Sequence, residues 1–146
     1  MRKINYIVVH CSATREGCTL TSEVLEAEHR RRGFRTTGYH YYIRRDGTVL
    51  GTRSLELPGA HCRGHNKYSI GICYEGGLDA DGRTKDTRTP EQRSALHLLV
   101  YQLLQQFRNA RVCGHRDLSP DLDGDGTVEP WEWVKQCPCF EVSKEF

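Results

Sequence analysis

Short apolar runs alternate along the chain with longer amphipathic stretches, a pattern that predicts strands interleaved with helices. Residues 4–10 are apolar and β-branched with almost no polar alternation, as in a central strand buried on both faces. This run ends at His10. Further strands are predicted at residues 39–43 and 48–51, which flank an Asp-Gly hairpin turn, at residues 69–74, and at residues 111–113 just before His115.

Two stretches have the apolar spacing of amphipathic helices. The first is predicted to begin at Thr21 or Ser22 and to end at Arg32, before a glycine. The second begins with a capping box formed by Thr89 and Gln92. The inner faces are expected to carry Val24, Leu25 and the stem of Glu28 in the first helix, and Leu96, Leu99, Val100, Leu103, Leu104 and Phe107 in the second.

The alternation of elements predicts an α/β fold in which a mixed central β-sheet is flanked by helices. A chain of 146 residues that is 37% hydrophobic can bury one core, so we expect a single domain over residues 1–146. The apolar run near the N-terminus is too short for a signal peptide or a membrane span. We therefore expect synthesis in the cytoplasm without a signal peptide, no membrane insertion, and a monomer.

Charge and cysteine content argue against a nucleic-acid-binding protein and against a disulfide-rich scaffold. The formal net charge is only +2, so the arginine clusters at residues 30–32 and 44–45 are interpreted as solvated local features, and no nucleic-acid partner is expected. Seven cysteines cannot all pair, and a chain with a fair apolar core does not need a disulfide framework. The cysteines are therefore candidates for metal binding or for the core, with an isolated disulfide among them as the alternative.

His10, His115 and Cys137 together suggest a metal site. Two imidazoles and a thiolate that leave the fourth tetrahedral position open are typical of a catalytic rather than a structural zinc. Each histidine alone is more often a structural residue, and only the joint pattern with Lys135 and Cys137 favours ligation. A hydrolase is the first interpretation.

Several short motifs carry a resemblance over nearly the whole chain. They lie at residues 7–14, 38–40, 45–49, 60–61 with 64–66, 69–72, 76–77, 114–115 and 135–138. Any one alone is weak, but together they resemble the zinc-dependent N-acetylmuramoyl-L-alanine amidases of the type 2 class. That class includes short phage lysozyme-amidases and animal peptidoglycan-recognition proteins.

The resemblance implies roles for individual residues. Some relatives have a glutamate where this chain has Cys73, which suggests that Tyr39 takes the proton-handling or water-orienting role here. The implied zinc ligands are His10, His115 and Cys137, the implied catalytic residues are Tyr39 and Lys135, and His61 and Asn66 match positions that line the substrate cleft.

The implied reaction is hydrolysis of the amide bond between N-acetylmuramic acid and L-alanine of the peptidoglycan stem peptide. The enzyme would act on the cell wall after release or delivery from the cytoplasm. The alternative is a peptidoglycan-binding protein without catalysis.

An acidic segment between His115 and Cys137 fits an EF-hand calcium loop position by position, although no amphipathic helix precedes it. We interpret it as a lone structural calcium loop. The alternative is an acidic surface turn without metal. The candidate ligands are Asp121, Asp123, Asp125, Thr127 through its carbonyl, Glu129 and Glu132.

Overall fold

The computed structural model describes residues 1–146 and contains seven strands and two α-helices. No helix combines the length and the apolar character needed to cross a membrane. The helices are α1 (Ser22–Arg31) and α2 (Pro90–Gln106). The strands are β1 (Tyr6–Cys11), β2 (Thr14–Arg15), β3 (Tyr41–Ile43), β4 (Val49–Gly51), β5 (Ser69–Tyr74), β6 (Gly77–Leu78) and β7 (Arg111–Gly114).

Five strands form the central sheet in the order β4-β3-β5-β1-β7. β1 pairs in parallel with both β5 and β7, β3 pairs in parallel with β5, and only the β3–β4 hairpin is antiparallel. The expected mixed α/β fold is therefore confirmed. β2 and β6 form a separate two-stranded parallel sheet.

The two faces of the central sheet differ in what they bury. The face toward α2 holds the main core, where Ile7 and Val9 of β1 meet Ile70 and Ile72 of β5. Side chains alternate along a strand, so His10 and Cys73 point to the opposite face, beneath α1. There a small cluster of Leu25, Tyr42 and Cys73 is the only other apolar core.

The predicted elements agree well with the observed ones. β5 has the predicted bounds, and Thr89 and Gln92 form the predicted capping box at the start of α2. The inner face of α1 was predicted wrongly in part: Leu25 is buried, but Val24 is 47% exposed and Glu28 is also exposed. His29 takes the second buried position, where its Nδ1 accepts a hydrogen bond from the Gly38 backbone at 2.7 Å.

Arg88 ties the C-terminal residues to the α2 side of the fold. Its side chain is fully buried, forms ion pairs with Asp86 and with Glu145 at 2.6 Å, and lies over the Phe140 ring. Hydrogen bonding to Arg88 lowers the pKa of Glu145 to about 2. A carboxyl with a lowered pKa in the folded state stabilises the fold above its unfolded pKa, and that stability is lost as the pH falls through the folded value.

We predict that Glu145→Gln lowers the free energy of unfolding at pH 7 by about 1.5–3 kcal/mol, the typical net value of a hydrogen bond to a charged group. The difference from wild type should shrink between pH 4.5 and about 2, where the wild-type carboxyl becomes protonated. Urea unfolding at several pH values measures this. Glu56→Gln, at an exposed carboxylate, should change little. A pH-independent difference for Glu145→Gln would contradict the account.

Candidate metal centre

The ends of two neighbouring parallel strands bring the predicted ligands together. β1 ends at His10 and Cys11, and β7 ends at Gly114, immediately before His115. Cys137 approaches from the C-terminal segment. One ligand atom from each of His10, His115 and Cys137 lies within 4.8 Å of the others.

Backbone hydrogen bonds hold the cysteine segment against these strand ends. The Cys11 backbone N–H donates to Sγ of Cys137 at 3.1 Å, and the Arg116 backbone N–H donates to the Cys137 carbonyl at 2.9 Å. The Tyr74 hydroxyl donates to the Pro138 carbonyl at 2.6 Å. These contacts fix the Cys137 sulfur at the strand ends, beside the two histidines.

The donor set fits a zinc ion. Two imidazoles and one thiol converge, and the surrounding groups keep His10 unprotonated: burial first, then the charges of His61, His115 and Lys135, hold its pKa well below the ordinary value. A neutral imidazole offers the lone pair that a metal needs.

Tyr39 packs beside this centre, with its ring centroid 5.1 Å from that of His10. Burial, followed by the thiols of Cys73, Cys137 and Cys11, raises the pKa of Tyr39 well above its ordinary value. Burial likewise raises the pKa of Cys73. Tyr39 is therefore a neutral hydrogen-bond donor at physiological pH, and Cys73 supplies no negative charge.

The metal centre opens to solvent through a cleft with basic walls. A cavity of about 340 Å³ borders the three ligands together with Tyr39 and Lys135. A second cavity of about 480 Å³ continues outward from His115 and Lys135. Its other lining residues include Arg32, Phe34, His61, Arg63 and Asn66.

The two predicted cleft residues are close to each other, and both also have internal partners. The Asn66 side-chain oxygen accepts hydrogen bonds from the backbone N–H groups of His61 and Cys62, both at 2.9 Å. His61 is 9% exposed, and its Nδ1 lies 2.8 Å from Nε2 of His10. His61 was predicted to line the cleft, but no sequence pattern indicates this contact with His10, because the contact depends on the tertiary fold.

The acidic segment is a compact loop whose last ligand candidate points inward. Glu132 is 3% exposed, and its carboxylate accepts hydrogen bonds from the backbone N–H groups of Leu122 at 2.7 Å and Glu129 at 2.8 Å. Carboxylate oxygens converge in two overlapping groups, Asp121 with Asp123 and Glu132, and Asp123 with Asp125 and Glu129.

The sequence of the chain matches a known protein family and several known relatives. The family described as N-acetylmuramoyl-L-alanine amidase matches residues 1–138. The chain belongs to this family. This amidase is 34% identical to an endolysin of Klebsiella phage KP32 over 143 residues, a match that covers 98% of this chain and 85% of the relative. The predicted family and the predicted enzyme class, an N-acetylmuramoyl-L-alanine amidase, are thereby confirmed.

Solved structures confirm the fold of the amidase. The amidase LysC from Clostridium intestinale URNW superposes with a TM-score of 0.76 at 26% identity, covering 99% of this chain and 82% of LysC. PGRP-SA of a bumblebee superposes with a TM-score of 0.72 at 22% identity, covering 99% of this chain and 80% of the other. At that identity the second match shows the fold alone.

We predict that Asn66→Ala lowers the free energy of unfolding by about 1–3 kcal/mol, because two partly buried N–H groups lose their acceptor. Urea denaturation measures the loss. Asn66→Asp keeps a side-chain oxygen at this position and should retain most of the stability, and the exposed Asn109→Ala should change little. Equal stability of Asn66→Ala and wild type would show that these hydrogen bonds do not support the segment.

Proposed function

We propose that the protein is a zinc-dependent peptidoglycan hydrolase that cleaves the amide between N-acetylmuramic acid and L-alanine of the stem peptide. The convergence of His10, His115 and Cys137 on the floor of an open cleft carries the proposal. When bound by these residues, zinc lowers the pKa of a water ligand toward about 7 and polarises a carbonyl.

Lys135 supplies positive charge at the mouth of the centre. Its side chain is exposed and lines both cavities, so its ammonium group can approach the oxygen of a scissile carbonyl as negative charge develops there. Preorganised charge of this kind is worth most where water is partly excluded. Lys135 therefore has the electrostatic role in the proposal.

Tyr39 is proposed to orient a water or the substrate by donating a hydrogen bond from its hydroxyl. Its raised pKa keeps the hydroxyl neutral, so it holds an attacking water or the substrate by a hydrogen bond. It can pass its proton to the leaving amine as its oxygen accepts the proton that the attacking water loses, which leaves Tyr39 neutral throughout. Cys73 cannot replace it as a base, because burial keeps that thiol neutral. His61 and Asn66 line the cleft beside these groups and are proposed to contact substrate with their remaining accessible atoms.

The proposed partner is the cell wall, reached from the cytoplasm by release or delivery, and the proposed working form is a monomer. Recognition of peptidoglycan without catalysis is the second candidate. The presence of Cys137 together with Tyr39 and Lys135 favours hydrolysis, because simple binding requires neither a thiolate ligand nor a positioned proton donor.

We predict that the zinc-loaded protein releases stem peptides with a free N-terminal L-alanine from purified peptidoglycan, detectable by mass spectrometry. Cys137→Ser should abolish release by weakening metal binding, whereas the exposed Cys18→Ser should behave as wild type. Lys135→Gln should retain zinc and lower the rate about 10²–10³-fold. Products cleaved at a different bond would refute the proposed reaction, and binding without any release would favour recognition.

We further propose that residues 121–132 bind calcium as structural support for the segment that carries Lys135 and Cys137. Positions one, three, five, seven, nine and twelve of an EF-hand loop are all occupied by suitable ligand types. None of the structure's ion pairs compensates these carboxylates. The Val134 backbone N–H donates to the Ser119 hydroxyl at 3.1 Å, which links the end of this segment to the turn after His115.

Calcium should raise the melting temperature of wild type, and Asp121→Ala combined with Asp123→Ala should remove that response because two carboxylate ligands are lost. Thermal unfolding with calcium and with chelator measures it. The matched control is Asp79→Ala combined with Asp81→Ala, in another acidic turn where Asp79 is partly buried and Asp81 is exposed, and this variant should keep the response. Identical melting temperatures of wild type in calcium and chelator would contradict calcium binding.

A further inference from the structure

The His61 ring occupies a slot in which the neighbouring strand residue, Gly71, has no side chain. A Cβ atom at Gly71 would lie 2.6 Å from two ring carbons, so only glycine leaves room on that strand. Gly71 points to the same face of the sheet as His10, two positions before its register partner Cys73. The slot therefore lies directly behind the candidate ligand.

Both ring nitrogens of His61 have partners inside this slot. Nδ1 lies 2.8 Å from Nε2 of His10, and Nε2 lies 3.1 Å from the hydroxyl of Ser69, which is fully buried. His10, His61 and Ser69 thus form a hydrogen-bonded chain that runs away from the metal centre into the protein.

The direction in which hydrogen bonds are donated between His10, His61 and Ser69 determines whether His10 can bind a metal. If His10 donates from Nε2 to His61, and His61 donates from Nε2 to Ser69, then Nδ1 of His10 keeps a free lone pair. In the reverse direction His10 accepts at Nε2 and, as a neutral ring, carries its proton on Nδ1. Only the first direction leaves a nitrogen of His10 for the metal, since Nε2 already contacts His61.

We propose that His61 is a positioning residue that, with Ser69 as its acceptor, fixes His10 in the tautomer whose Nδ1 faces the metal. The inference rests on the proposed zinc site and extends it beyond the three ligands. Partners that hold a ligating imidazole in this way typically contribute 10–100-fold to metal affinity. His61 therefore acts on the metal through His10, in addition to lining the cleft.

The test measures the zinc affinity of the metal-free protein by competition with a chromogenic chelator. His61→Leu removes the acceptor and should weaken zinc binding about 10–100-fold. His61→Asn places an amide oxygen near the former Nδ1 and should recover part of the loss. Ser69→Ala should weaken zinc binding by a smaller factor. His65→Leu, a nearby histidine that lines the neighbouring cavity without touching His10, should bind zinc as wild type.

A spectroscopic measurement separates positioning from general destabilisation. In ¹⁵N-histidine NMR spectra of the metal-free protein, His10 should show a protonated Nε2 in wild type and a mixture of tautomers in Ser69→Ala. Zinc affinity of Ser69→Ala and His61→Leu equal to wild type would overturn the inference while leaving the zinc site intact. Failure of wild type itself to bind zinc would overturn the proposed function as well.

Discussion

The position of every candidate ligand depends on the burial of β1 between β5 and β7. Because β1 is buried on both faces, its register is fixed by packing on one side and by the histidine cluster on the other. A slip of one residue would turn His10 toward α2 and place an apolar side chain at the metal centre. Parallel pairing also brings the ends of β1 and β7 to the same edge, where His10 and His115 meet.

One face of the central sheet provides most of the stability, and the other face carries the candidate metal site. The main core on the α2 face contains 14 buried residues, whereas the apolar cluster on the α1 face contains three. Each fully buried aliphatic or aromatic side chain contributes about 1.5–3 kcal/mol, so the α2 face provides most of the stability. The α1 face can therefore hold buried histidines, which are satisfied by hydrogen bonds to backbone groups and to one another.

The features that could be predicted from the sequence are those that depend on local residue patterns. The strand at residues 69–74 and the capping box of α2 follow from β-branched runs and from side chains three residues apart. The three candidate ligands, far apart in the chain, emerged only from their joint pattern and from the family resemblance. Local pattern failed on α1, where burial of His29 rather than Val24 depends on the loop that ends at Gly38. It also could not show that His61 contacts His10, since two residues 51 positions apart meet only through the tertiary fold.

The most direct test of the central claim is zinc K-edge X-ray absorption on the purified protein, combined with its zinc content. We expect one zinc per chain with two imidazole nitrogens and one sulfur among its nearest ligands, and loss of the sulfur contribution in Cys137→Ser. A site without sulfur in wild type, or a protein that holds no stoichiometric zinc, would contradict it.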